Sequence, residues 1–184
     1  MAGRMNQIGY VAQRPFGPER KEEWQKYVAW SGLHHLSRVV SMDGILCPRV
    51  IDKIIDEDWK HIFNESWMTE YFHDLDYLLQ RVSKLPPYEI IGFVKEPDSP
   101  FPHGFTDPRF EFAGYDLVDW GCNISALVNC GGFPESFANS ELNQFGLLPN
   151  YQRAKEVQEA LLKNNPNEEH AKCTIWPLWL MHQP

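Results

Sequence analysis

The chain has 184 residues, 43% of them hydrophobic and 14% aromatic, with a formal net charge of −8. Such a composition excludes a disordered chain and predicts one folded domain that buries a full core without staples. The acidic balance argues against a nucleic-acid binder, which carries a basic face, and against docking on an anionic membrane.

Residues 1–16 read as a flexible N-terminal arm, and 17–184 as the single domain. Pro18 suits the first turn of a helix, and Glu19 and Glu22 favour its positive end. Trp24, Tyr27 and Val28 give that helix an apolar face, and Gly32 is its expected stop. From Leu36, alternation predicts a strand with Leu36, Val40 and Met42 on one side, followed by an Asp43-Gly44 turn. Pro48 opens a short helical stretch that carries Asp52, Asp56, Glu57 and Asp58.

The clearest periodicity runs over 66–83. Met68, Tyr71, Phe72, Leu75, Leu78, Leu79 and Val82 recur at three and four residues, which predicts an amphipathic helix. Pro86-Pro87 ends that region. Tyr88 to Val94 is apolar on both phases, as in a central strand, and the four prolines of 97–108 mark a loop. Phe110 and Phe112 alternate on one phase and Tyr115 and Leu117 on the other, so a bulge is expected at Gly114. Ile124, Ala126, Val128 and Cys130 share one face of the next predicted strand, and a short helix is expected over 134–142. Asn150 can cap a helix over 151–163 that turns Tyr151, Ala154, Val157 and Leu161 inward. After a polar loop at 164–170, Trp176, Leu178 and Leu180 alternate in a last strand, 172–180, which Pro177 assigns to a sheet edge. Strands and helices do not alternate regularly. The expected fold is α+β, a mostly antiparallel sheet of about five strands with helices packed on it.

Two groups of residues invite a functional reading. Cys130 ends a strand-like run, two glycines follow, and Pro134-Glu135 is ready to open a helix. That layout presents a nucleophile, provided a base such as His170 or His103 comes near. Cys130 also continues the apolar phase of its strand, which favours a small core residue. No tight Cys or His pair of the kind zinc requires is present, and adjacent His34 and His35 point apart, so neither a metal nor a cofactor is expected. Phosphate-loop and nucleophile-elbow motifs are absent. Carboxylate pairs such as Asp74 with Asp76 and Asp116 with Asp119 carry little weight in an acidic chain.

The second group is the acidic stretch. Residues 43–76 hold nine acidic residues against three basic ones, whereas the first 42 hold six basic and three acidic. Such a field steers a basic partner. The expected docking set is Asp52, Asp56, Glu57, Asp58, Trp59, Trp67, Glu70 and Asp74. Within it, positions 52 and 56, and 70 and 74, are four apart. On helices each pair repels itself until a basic partner arrives.

The strings FEFAGYDLVD (110–119), SALVNCGGF (125–133), NSELNQFGLL (139–148) and HAKCTIWPLW (170–179) carry a resemblance across most of the chain. It resembles an uncharacterised group of small bacterial proteins, which implies a bacterial origin and no particular activity. In build, though not in motif, the chain is similar to immunity proteins, small acidic domains that bind and block a basic toxin. The expected function is therefore a non-enzymatic, protein-binding domain of this immunity type. The alternative is a small cysteine-dependent hydrolase or transferase using Cys130 with His170. The N-terminus lacks a leader's apolar centre, and no apolar run approaches the roughly 18 residues of a spanning helix, so a cytoplasmic location is expected.

Overall fold

The computed structural model describes residues 8–63, 71–94, 105–119, 124–129 and 133–182. Strands β1 (Ile8–Gln13), β2 (Glu89–Val94), β3 (Phe110–Asp119) and β4 (Cys173–Met181) form one antiparallel sheet in the order β1-β2-β4-β3. Among the described residues three α-helices accompany it: α1 (Lys21–Ser31), α2 (Leu75–Val82) and α3 (Tyr151–Asn164). The α+β class holds, with four strands rather than about five.

Alternation along the strands sends side chains to two different cores. On one face, Ile90, Val94, Phe110 and Trp179 pack with Leu75, Leu78 and Val82 of α2. Beside them, Tyr115, Leu117, Cys173 and Ile175 pack with Ala154, Val157 and Leu161 of α3, joined by Tyr27 of α1. On the other face, Val11, Ile91, Phe93, Trp176 and Leu178 are covered by irregular chain that brings in Val40, Met42, Phe63, Tyr71 and Leu147.

Several local signals are realised. Gly32 ends α1 in the left-handed conformation, and its N–H donates to the Val28 carbonyl. The register of β3 on β4 shifts between Phe112 and Gly114, whose φ of 141° a side chain rarely adopts. The Asn150 side chain accepts a hydrogen bond from the Arg153 N–H and caps α3.

Other expectations are corrected. Ile8–Gln13, within the arm expected over 1–16, is the edge strand β1, paired along its length with β2; residues 1–7 lie outside the described residues. Within the described part of the helix expected over 66–83, only Leu75–Val82 is α-helical; residues 64–70 lie outside the described residues. Tyr71 and Phe72 are extended, and Phe72 exchanges two backbone hydrogen bonds with Tyr10. The reason is packing: Tyr71 enters the loop-covered core and Phe72 the α2 core, and adjacent residues reach opposite sides only from an extended backbone.

The strand expected from Leu36 to Met42 is irregular chain with an isolated bridge between Val39 and Phe16. The run 124–129 makes one bridge, Ser125 to Val118, and then turns. No helix follows Pro48; a 3-10 turn spans Asp56–Lys60, and another, Asn139–Glu141, stands within the helix expected over 134–142. Pro177 does not lie on an edge, since β4 sits between β2 and β3. Tyr115, its partner in β3, turns its own N–H and C=O outward to Leu148, so Pro177 faces β3 in a non-hydrogen-bonded pair. Its missing N–H falls on the β2 side, where pairing has stopped at Leu178.

Candidate functional site

The acidic stretch is built around the turn Asp56–Lys60. Ile51 and Ile54 pack against the α2 core, which holds the preceding chain on the body of the fold. The turn is closed when Asp58 Oδ2 accepts from the Ile55 N–H at 2.9 Å and the Ile55 carbonyl accepts from the Asp58 N–H at 3.0 Å. Asp58 Oδ1 accepts from the Tyr77 hydroxyl at 2.8 Å and from Arg81 Nε at 3.1 Å. Burial pushes this carboxyl up, but the Ile55, Tyr77 and Arg81 donors prevail and hold it below its ordinary range. Burial and the neighbouring Asp58 in turn push the Tyr77 hydroxyl up to about 12.

Asp74 is occupied in the same manner. Its Oδ1 accepts from the Tyr77 N–H at 3.0 Å, capping α2, and its Oδ2 lies 2.9 Å from His61 Nδ1. The Tyr77 N–H, followed by His61, holds the Asp74 carboxyl below its ordinary range. The His61 ring stacks on Tyr77 with centroids 3.7 Å apart.

These placements correct the expected docking set. Asp58 is fully buried and Asp74 is a helix cap, so both are structural ties between the turn and α2. Asp52 precedes the turn and Asp74 precedes α2, so neither is half of a repelling helical pair. Trp67 and Glu70 lie outside the described residues. Asp52, Asp56, Glu57 and Trp59 are exposed, and Trp59 shows 52% of its surface. Ile55, which sequence reasoning passed over, is 39% exposed four residues before Trp59. Three exposed carboxylates share this segment with exposed Lys53 and Lys60, so local charge is weaker than the composition implies. The 3.7 Å pair between Arg14 and Asp52 is solvated on both sides and contributes little. Two apolar side chains standing out of a pinned turn are the stronger feature.

Of the enzyme residues, Cys130 and His103 lie outside the described residues. His170 sits on the 3-10 turn Glu169–Ala171, 34% exposed, with Nδ1 hydrogen-bonded to the buried Asp119 Oδ2 at the end of β3. A buried carboxylate on one ring nitrogen orients the imidazole. A cavity of about 360 Å3 is lined by Ala126, Leu127 and Val128 before Cys130 and by Phe133, Pro134 and Phe137 after it. Among the described residues no histidine lines it. Among the described residues no group of three His, Cys, Asp or Glu side chains converges as a metal site.

Sequence reasoning gave little weight to the carboxylates most deeply engaged. Asp116 Oδ2 accepts from Ser41 Oγ at 2.5 Å and the Met42 N–H at 2.9 Å. Its Oδ1 accepts from Ser125 Oγ at 2.6 Å and its neighbour Leu117 N–H at 2.9 Å. Burial pushes this carboxyl up to about 6 against the pull of those donors. Asp43 accepts from the N–H groups of Ile45, Leu46 and Ser125 and from Asn129 Nδ2. Together they staple the 41–46 and 125–129 loops to β3. The Asp43-Gly44 turn signal was the one local trace of this hub.

The chain matches no known protein family, no curated protein and no solved structure. Among the described residues no helix is long and apolar enough to cross a membrane.

Proposed function

We propose that this chain is a cytoplasmic, non-enzymatic protein-binding domain of the immunity type that docks a basic protein partner. Trp59 and Ile55 act as apolar anchors, and Asp52, Asp56 and Glu57 form a charged rim. The observation that carries this reading is Trp59, half-exposed on a turn that Asp58 pins from inside. A large aromatic held rigidly at the surface loses little entropy on binding and is the usual hot-spot residue of an interface. The net charge of −8 favours a basic partner and speeds its encounter.

The test compares wild type with Trp59→Ala and with the triple variant Asp52→Asn, Asp56→Asn, Glu57→Gln. Proteins retained by wild type and lost from Trp59→Ala are identified, purified and measured directly. Trp59→Ala is expected to raise the dissociation rate about thirtyfold, the equivalent of about 2 kcal/mol. The triple variant is expected to slow association and flatten its salt dependence. A partner bound equally by all three proteins places the interface elsewhere.

A second reading, a cysteine-dependent hydrolase or transferase, is favoured by one observation, the carboxylate that orients His170. It requires Cys130 to alkylate rapidly at neutral pH, with a pH profile that His170→Asn shifts upward. Slow labelling with a profile indifferent to His170 removes it.

A further inference from the structure

A cavity of about 310 Å3 opens on the loop-covered face of the sheet, lined in part by Arg38, Glu89, Glu111, Phe145, Leu180 and His182. Strand register builds its floor. Leu180 is paired with Ile91 across β2–β4 and with Glu111 across β3–β4, so all three stand on the same face. Glu89 and His182 lie two residues from Ile91 and Leu180 and share that face. The His182 N–H donates to the Arg109 carbonyl at 2.8 Å, which carries the β4 ladder past Met181.

The roof comes from two loops tied to each other. The Ser37 N–H donates to the Gln144 carbonyl at 2.9 Å, and the Val40 N–H to the Phe145 carbonyl at 3.0 Å. Asn143 fastens the second loop to β3: its Nδ2 donates to the Ala113 carbonyl at 2.7 Å. Its Oδ1 accepts from the Phe145 and Leu147 N–H groups. Arg38 and Phe145 are thereby fixed over the floor, with the guanidinium 5.5 Å from the Phe145 ring centre. A site whose roof and floor are both hydrogen-bonded in place is pre-formed for a ligand.

The charges in this cavity are unequal. Arg38 donates to Glu89 Oε1 at 2.8 Å, and the Glu89 side chain is only 8% exposed. Burial raises the Glu89 carboxyl above its ordinary range, with Arg38 pulling the other way. Keeping a buried carboxylate in a cavity wall, paired with a partly exposed guanidinium, is costly for stability and common at binding sites. Arg38 reaches Glu89 through Nη1, and its buried Nε has no hydrogen-bond partner among the described residues. Glu111 is exposed, and its side chain makes no hydrogen bond or ion pair among the described residues. Among the described lining residues two carboxylates stand with one guanidinium and the His182 imidazole, and Glu111 is the carboxylate without an ionic partner, beside apolar wall from Leu180, Ala113 and Phe145.

We propose that this cavity binds a small organic amine, its ammonium group paired with Glu111 and its carbon chain laid over Leu180 and Phe145. A carboxylate ligand meets two like charges there, and a neutral one leaves Glu111 unpaired at the mouth.

The probe is n-pentylamine, with 1-pentanol and pentanoate as chain-matched controls, followed by methyl signals of Ala113 and Leu180. Pentylamine is expected to shift both signals saturably and to bind about tenfold tighter than either control. Glu111→Gln, an exposed substitution that leaves the fold intact, is expected to weaken pentylamine about tenfold and to leave pentanol unchanged. The proposal is overturned by any of three results: no saturable shift with the amine, equal binding of the alcohol, or an amine affinity indifferent to Glu111→Gln.

Discussion

Asp58 and Asp116 are both fully buried, yet their carboxyls are displaced in opposite directions. Each accepts several hydrogen bonds. Asp58 has Arg81 among its donors and stays below its ordinary range, whereas the donors on Asp116 are two serine hydroxyls and two backbone N–H groups. Neutral donors soften the loss of water around a charge but bring no opposite charge, so Asp116 rises to about 6. Burial opposes the charge on both; on Asp58 the Ile55 N–H, the Tyr77 hydroxyl and Arg81 together outweigh it, and on Asp116 the neutral donors do not. The two residues also tie different things. Asp58 pins a surface turn to α2, and Asp116 pins two loops to the middle of β3.

The largest expected difference between these hubs is structural. Asp116→Ala strips the acceptor from Ser41, Ser125, Met42 and Leu117 at once, and at about pH 5 it is expected to cost about 4 kcal/mol in denaturant unfolding. A loss below about 1 kcal/mol means that the hub is dispensable.

The next effect is its pH dependence. Because the folded Asp116 carboxyl is raised, its contribution is full below the ordinary carboxylate value and fades as pH rises through about 6. The penalty of Asp116→Ala is expected to shrink by on the order of 3 kcal/mol between about pH 4 and pH 7. A penalty that grows over that interval contradicts the raised carboxyl.

Asp58 sharpens the contrast. Asp58→Asn is expected to cost about 2 kcal/mol at neutral pH, a value reduced because Arg81 is partly exposed. Its folded carboxyl is depressed, so this penalty is present above the ordinary carboxylate value and disappears as pH falls through the acid range. If the two penalties move in the same direction with pH, the comparison fails.

The smallest effect falls at the surface the Asp58 hub supports. Trp59→Ala is expected to change stability by less than about 0.5 kcal/mol, because half of the ring is already in water. A loss of several times that size makes Trp59 a packing residue and removes the anchor of the proposed interface.

Local regularities were readable wherever one element's own sequence carried its instructions. The Asn150 cap, the inward set Ala154, Val157 and Leu161, the two-phase apolar run of β2 and the phase switch at Gly114 are of this kind. The helical periodicity across Tyr71 and Phe72 misled, because two adjacent aromatics bound for different cores mimic part of an apolar stripe. The apolar alternation of 36–42 and 124–130 misled in the same way: buried loops satisfy their apolar side chains without a ladder. Charge counting placed Asp58 on the surface because composition holds no information on depth.

The sequence by itself determined the α+β class, the acidic balance, the Gly32 stop of α1, α3 with its Asn150 cap, and the bulged strand β3, since each rests on residues within a few positions of one another; α1 starts at Lys21, past the Pro18 expected in its first turn. Only the tertiary structure decided that Asp58 and Asp116 are buried and differ in sign, that Pro177 lies inside the sheet, and that Arg38 and Phe145 roof a charged cavity. Each of those depends on contacts between residues distant along the chain: Arg81 on Asp58, Ser41 and Ser125 on Asp116, Leu148 on Tyr115, and Glu89 on Arg38. Desolvation and partner charge are properties of the packed interior, and periodicity along the chain does not encode them.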